Sequence, residues 1–96
     1  MTNIYTVAQP KFPLGELYVT AAVDKTLAPE EIQTALVRHA RGDWGDVCDE
    51  DRDDNDAALK EGFRLFSVYH DQKGVKFWII TEADRSVTTV LLPDDY

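Results

Sequence analysis

At 96 residues, with 44% hydrophobic and 10% aromatic content, the chain has room for one domain whose core buries roughly two thirds of the surface exposed on unfolding. A formal charge of −8, with ten scattered Lys and Arg, argues against direct nucleic-acid binding, which needs basic side chains to neutralise phosphates. A single cysteine excludes an intrachain disulfide and suits a reducing cytoplasm, and no run approaches the about 18 apolar residues of a membrane span.

The opening MTNIYTVAQPKFPLG lacks the basic start and apolar stretch of a secretory signal, so a cytoplasmic protein is expected. Pro10 and Pro13 break any period over residues 1–14, which read as an extended arm. Leu17 to Val23 (LYVTAAV) is β-rich and bounded by Gly15 and Asp24, the pattern of a short strand. Pro29 suits the first turn of a helix, and Glu30 and Glu31 favour its positive end. Ile32, Ala35, Leu36 and His39 then follow the spacing of one buried helical face, which Gly42 ends.

Asp43-Trp44-Gly45-Asp46 reads as a tight connection. A second helix is predicted to begin between Asp51 and Asp54 and to run to Glu61, with Gly62 as its stop. Three strands follow: Phe63 to His70, Val75 to Thr81 and Ser86 to Leu92. They are joined by turns at Asp71–Gly74 and Glu82–Arg85. The expected fold is a single α+β domain over residues 1–96. Two helices pack on a small antiparallel sheet made of the C-terminal three-stranded meander and an N-terminal strand. Residues 76–82 alternate with large apolar groups on both faces, so the face away from the helices should be covered by the arm, a second copy of the chain or a partner, with the arm or a homodimer favoured.

The dominant chemical feature is DWGDVCDEDRDDND. Asp43, Asp46, Asp49, Glu50, Asp51, Asp53, Asp54 and Asp56 stand against Arg52 alone, so this stretch carries −7 of the chain's −8. A calcium loop is the first reading to test. Starting at Asp49 or at Asp51 places Asp54 or Asp56 where the turn needs glycine, and Lys60 or Gly62 where it needs the closing glutamate. Both registers fail, and no metal site is predicted. One or two acidic residues would satisfy a helix N-terminus. Eight repel one another, which suggests a surface kept for a basic partner.

Other chemistry finds little support. His39 falls on the buried helical face, where a satisfied core histidine is the commoner arrangement, and His70 ends a strand beside a turn. Cys48 lies among carboxylates that disfavour its thiolate. Ser67 and Ser86 lie in no nucleophile motif, and no glycine-rich phosphate loop is present. No catalytic residue and no cofactor are predicted. Trp44 is either an aromatic anchor for a partner or a ring that closes the core between the helices. Glu82, Asp84 and Arg85 form a polar turn, read as a surface ion pair or a minor contact for a partner.

The runs RHARGDWGD (Arg38 to Asp46) and KFWIITEADRSVTTVLLPDDY (Lys76 to Tyr96) resemble a family of small plasmid-related bacterial proteins, as do Asn55, Ala58, Leu59, Gly62, Arg64, Leu65, Ser67 and Tyr69 between them. Its members are carried by plasmids, integrative elements and prophages. The resemblance covers about residues 36–96 and brings no catalytic residues with it. Some members are described as methylation subunits, but the glycine-rich cofactor loop and NPPY-like motif of methyl transfer are missing from this chain.

Residues and resemblance together lead to one expectation. The chain would be a small acidic mobile-element protein that binds and inhibits a nucleic-acid-acting host defence protein, of anti-CRISPR or anti-restriction type, through a DNA-mimicking carboxylate surface. Asp43, Asp46, Asp49, Glu50, Asp51, Asp53, Asp54 and Asp56 would face the basic partner, with Trp44 as the anchor. The alternative is a non-enzymatic, homo-oligomeric accessory or regulatory module of the same elements.

Overall fold

A computed structural model describes residues 5–96 as an α+β domain with a four-stranded sheet in the order β1-β4-β3-β2. In chain order the elements are β1 (Glu16–Val19), α1 (Ala21–Thr26), α2 (Pro29–Ala40), α3 (Asp49–Glu61), β2 (Leu65–His70), β3 (Lys76–Thr81) and β4 (Val87–Leu91), and a 3-10 turn follows at Pro93–Asp95. The meander strands β2, β3 and β4 pair antiparallel, as predicted. β1 pairs parallel to β4, which makes the sheet mixed rather than antiparallel.

The predicted strand over 17–23 is corrected to a shorter strand and an unforeseen helix. Thr20 adopts extended backbone, and its hydroxyl accepts from Val23 N at 3.2 Å, so it caps α1 and turns the chain out of the sheet. Ala21 and Ala22 then continue helically, and Val23 and Leu27 enter the core. α3 starts at Asp49, two residues before the predicted window. Of the predicted arm, residues 1–4 lie outside the described residues, and 5–14 contain no helix or strand.

Main-core packing follows the α2 stripe. Ile32, Ala35 and Leu36 meet Tyr69, Phe77, Ile79 and Val90 from one sheet face. Tyr5, Val7, Phe12 and Leu14 of the arm pack on that same side, against the two apolar clusters there. The arm therefore does not cover the opposite face. That face, with Phe66 paired to Ile80 and Val68 to Trp78 in register, carries no helix. It is roofed in part by Tyr96, whose ring meets Trp78 edge-on at 5.8 Å under the guanidinium of Arg64.

The outer edge of β2 is closed by two devices. Val68 exchanges backbone hydrogen bonds with Trp44 O (3.1 Å) and Asp46 N (2.7 Å). Gly45 lies between these partners at φ 76°, where a Cβ would sit 2.0 Å from Val68 O, so only glycine admits the contact. Two residues earlier on the strand, the Asn55 side chain donates to Phe66 O (2.7 Å) and accepts from Phe66 N (3.1 Å), as a neighbouring strand would.

Candidate functional site

The acidic segment divides into a loop and a helix. α3 buries only Asn55 and Ala58, and three polar contacts hold it in place. Asn55 grips the β2 edge. Trp44 Nε1 donates to Asp56 Oδ1 at 2.9 Å. Arg85 donates to Ala58 O (3.1 Å) in the last turns of the helix and to Phe63 O (2.7 Å) just beyond it, which places its cation at the negative end of the helix. Arg85 holds a left-handed backbone, φ 62°, to do so, and its guanidinium lies 5.6 Å from the Phe12 ring. The turn keeps a surface ion pair, Glu82 with Arg64 at 4.0 Å, while its Arg85 clamps α3 and is not free for a partner.

Trp44 is corrected as well. Its side chain is 3% exposed and packs with Phe12, Ala58 and Leu65, so it closes the core and cannot present its ring to a partner. The eight carboxylates take different roles. Asp43 accepts from Arg38 Nε (2.8 Å) and Nη2 (3.2 Å), and its carboxyl is held below the ordinary range chiefly by that bond. Asp46 accepts from His70 Nδ1 at 2.7 Å, and Asp56 holds Trp44. Asp49 touches Arg52 at 3.0 Å yet is 92% exposed. Glu50, Asp51, Asp53 and Asp54 are exposed and make no hydrogen bond or ion pair with another described residue. All eight carboxylates are exposed; Asp49, Glu50, Asp51, Asp53 and Asp54 on the first turns of α3 are those that no distant residue engages, while Asp43, Asp46 and Asp56 are held by Arg38, His70 and Trp44.

Those five carboxylates occupy six consecutive residues, about 9 Å of helix. Before Arg52 is counted, that is one charge per about 1.8 Å, close to the about 1.7 Å per phosphate along duplex DNA. Cys48 is the exposed residue preceding this turn, and its side chain makes no capping bond. Among the described residues no three His, Cys, Asp or Glu side chains converge closely enough to hold a metal ion.

His39 has the satisfied core environment that its helical position suggested. It is fully buried, with Nδ1 2.6 Å from Ser67 Oγ and Nε2 2.9 Å from Thr81 Oγ1. Thr81 and Thr88 hydroxyls are 2.8 Å apart, and Thr88 Oγ1 donates to Leu14 O at 2.7 Å. Donor accounting fixes the tautomer. Thr88 spends its proton on a carbonyl, so Thr81 donates to Thr88, Nε2–H donates to Thr81, and Ser67 donates to Nδ1. Desolvation, with the Arg85 charge as a smaller cause, lowers the ring's pKa from 6.5 to about 3. The Ser67–His39 pair has the atoms of a nucleophile and its base, but both residues are sealed at 0% exposure.

Sequence reasoning missed Asn55 and Arg85 as anchors. Asn55 did leave a signal, as the neutral amide inside an otherwise charged DDND run. Arg85 left none, because its carbonyl partners come from a helix over twenty residues earlier in the chain.

Comparison of the chain with protein-family models, with curated proteins and with solved structures gave no match. No helix among the described residues is long and apolar enough to cross a membrane.

Proposed function

We propose that this chain is a non-catalytic, acidic binding protein of mobile elements that inhibits a nucleic-acid-acting host defence protein, with the first turns of α3 standing in for DNA phosphates. One observation carries the reading: before Arg52 is counted, Asp49, Glu50, Asp51, Asp53 and Asp54 give α3 about the charge per unit length of duplex DNA, on a helix that tertiary contacts already fix. A mimic held in place before binding loses less ordering entropy on association than a floppy acidic tail does. Its concentrated charge steers a basic surface towards it, with strong salt dependence. The resemblance to plasmid-related proteins supplies the setting, and the sealing of the Ser67–His39 pair supports a non-enzymatic role.

The test is affinity capture from a bacterial host lysate, comparing the wild type with a chain carrying Asp49, Asp51, Asp53 and Asp54 as asparagine. Expected is enrichment of a nucleic-acid-acting protein that is lost in the variant and competed away by duplex DNA. Capture that is equal in both chains would overturn the reading.

The helix-free face of the sheet favours a second reading, a homo-oligomeric accessory or regulatory module. There Tyr18 is 53% and Tyr96 69% exposed beside the half-buried Phe66 and Trp78. Sedimentation that remains monomeric at high concentration would dismiss it.

A further inference from the structure

An open cleft of about 290 Å³ separates α2 from the β2–β3 hairpin. Its deep residues are Ala35, Tyr69 and Phe77, all buried and largely apolar. Glu30 and Glu31 form its wall on α2, and Arg38 and His70 also line it. Hydrogen bonds fix this frame in advance. Glu31 Oε1 accepts from Gln72 N at 2.9 Å, tying the hairpin tip to α2. Arg38 lies over the Tyr69 ring at 4.8 Å and spends Nε and Nη2 on Asp43.

The charge of the cleft follows from these pairings. A carboxylate only accepts, so His70 donates from Nδ1 to Asp46, which lies outside the cleft lining. Arg38, the cation among the lining residues, is matched by Asp43. Among the described residues, Glu30 and Glu31 are then left without a matching cation, a formal −2 beside an apolar floor. An anion is disfavoured there. A bare metal ion would find no converging ligands among the described residues and gain nothing from the floor.

We propose that the cleft binds an alkylammonium group, with its aliphatic stem on Ala35 and Phe77 and its head at Glu30 and Glu31. The group is that of a lysine side chain or of a free amine such as a polyamine. This site is separate from the α3 surface and does not depend on it.

The test is amide NMR titration of the full chain with n-butylammonium chloride, with ammonium chloride and n-butanol as controls for charge alone and stem alone. Expected are saturable shifts at Ala35, Tyr69, Gln72 and Phe77 that neither control reproduces. The Glu30→Gln/Glu31→Gln variant keeps an oxygen for Gln72 N and should weaken binding by about tenfold through loss of both charges. The asparagine variant of α3 should bind unchanged. Shifts confined to α3, equal shifts with either control, or unchanged binding by the glutamine variant would overturn the proposal. Two further probes distinguish the sources. Tighter binding of an end-blocked lysine than of spermidine assigns the cleft to a protein side chain, and the reverse order assigns it to a free polyamine.

Discussion

α2 and α3 are nearly equal in length, 12 and 13 residues, and lean on the same sheet, yet they are held by different physics. α2 buries Ile32, Ala35, Leu36, His39 and Ala40, so the hydrophobic effect is the main force that fixes its orientation, with the His39 and Glu31 hydrogen bonds added to it. α3 buries one amide and one methyl group, and its position depends on Asn55, Asp56 and Arg85. A helix held by packing must give up a face to the core. One held by a few polar contacts keeps most of its circumference for display, and here that circumference is acidic.

The comparison breaks most readily in α2. Leu36 is fully buried, and Leu36→Ala should destabilise the fold by about 3–5 kcal/mol through lost transfer energy and the cavity left behind. Urea denaturation measures this. A shift below about 1 kcal/mol would mean that α2 is not the packing helix.

Acid sharpens the contrast next. His39 has its folded-state pKa lowered to about 3, so between pH 6.5 and 3 the unfolded chain binds a proton there that the folded chain refuses. The stability present above pH 6.5 is therefore lost as pH falls, by up to about 1.4 kcal/mol per unit. Between pH 6.5 and 5 this approaches about 2 kcal/mol. His39→Gln, which offers both a donor and an acceptor to Ser67 and Thr81, should flatten that slope in urea midpoints taken across the window.

Asn55→Ala should cost about 1–2 kcal/mol, since it strands the N–H and C=O of Phe66 at the sheet edge. Its stronger signature is hydrogen exchange that accelerates in α3 while α2 stays protected. The smallest stability effect belongs to the exposed carboxylates. Replacing Asp49, Asp51, Asp53 and Asp54 by asparagine should move stability by less than about 1 kcal/mol, because lost helix-dipole contacts offset relieved repulsion. The same change should abolish capture of the basic partner, so calorimetry and binding must disagree for that variant.

The elements legible from sequence were those whose signals are local. The 3.6-residue stripe of α2 and the alternation of β2, β3 and β4 appeared at the predicted places, with strand ends drawn in by one or two residues. α1 was not legible, because β-rich LYVTAAV hides a helix that begins only once Thr20 caps it. Trp44 was ambiguous for a related reason. A tryptophan in a short acidic loop fits an anchor or a core ring equally well until Phe12, Ala58 and Leu65 are seen around it. The candidate site was half legible. The run of carboxylates is plain in the chain, but which of them are free depends on partners far away, such as Arg38 for Asp43 and His70 for Asp46.

The sequence by itself determined the α+β class, the order of the meander, the packing face of α2 and the concentration of charge between Asp43 and Asp56, because each is written in neighbouring residues. Only the tertiary structure decided that β1 runs parallel to β4, that Arg85 clamps the end of α3, and that Asp43, Asp46 and Asp56 are engaged by Arg38, His70 and Trp44. Those outcomes rest on hydrogen bonds and ion pairs between residues distant in the chain. No local periodicity encodes such pairings, since each partner's position is set by the packing of the elements between them.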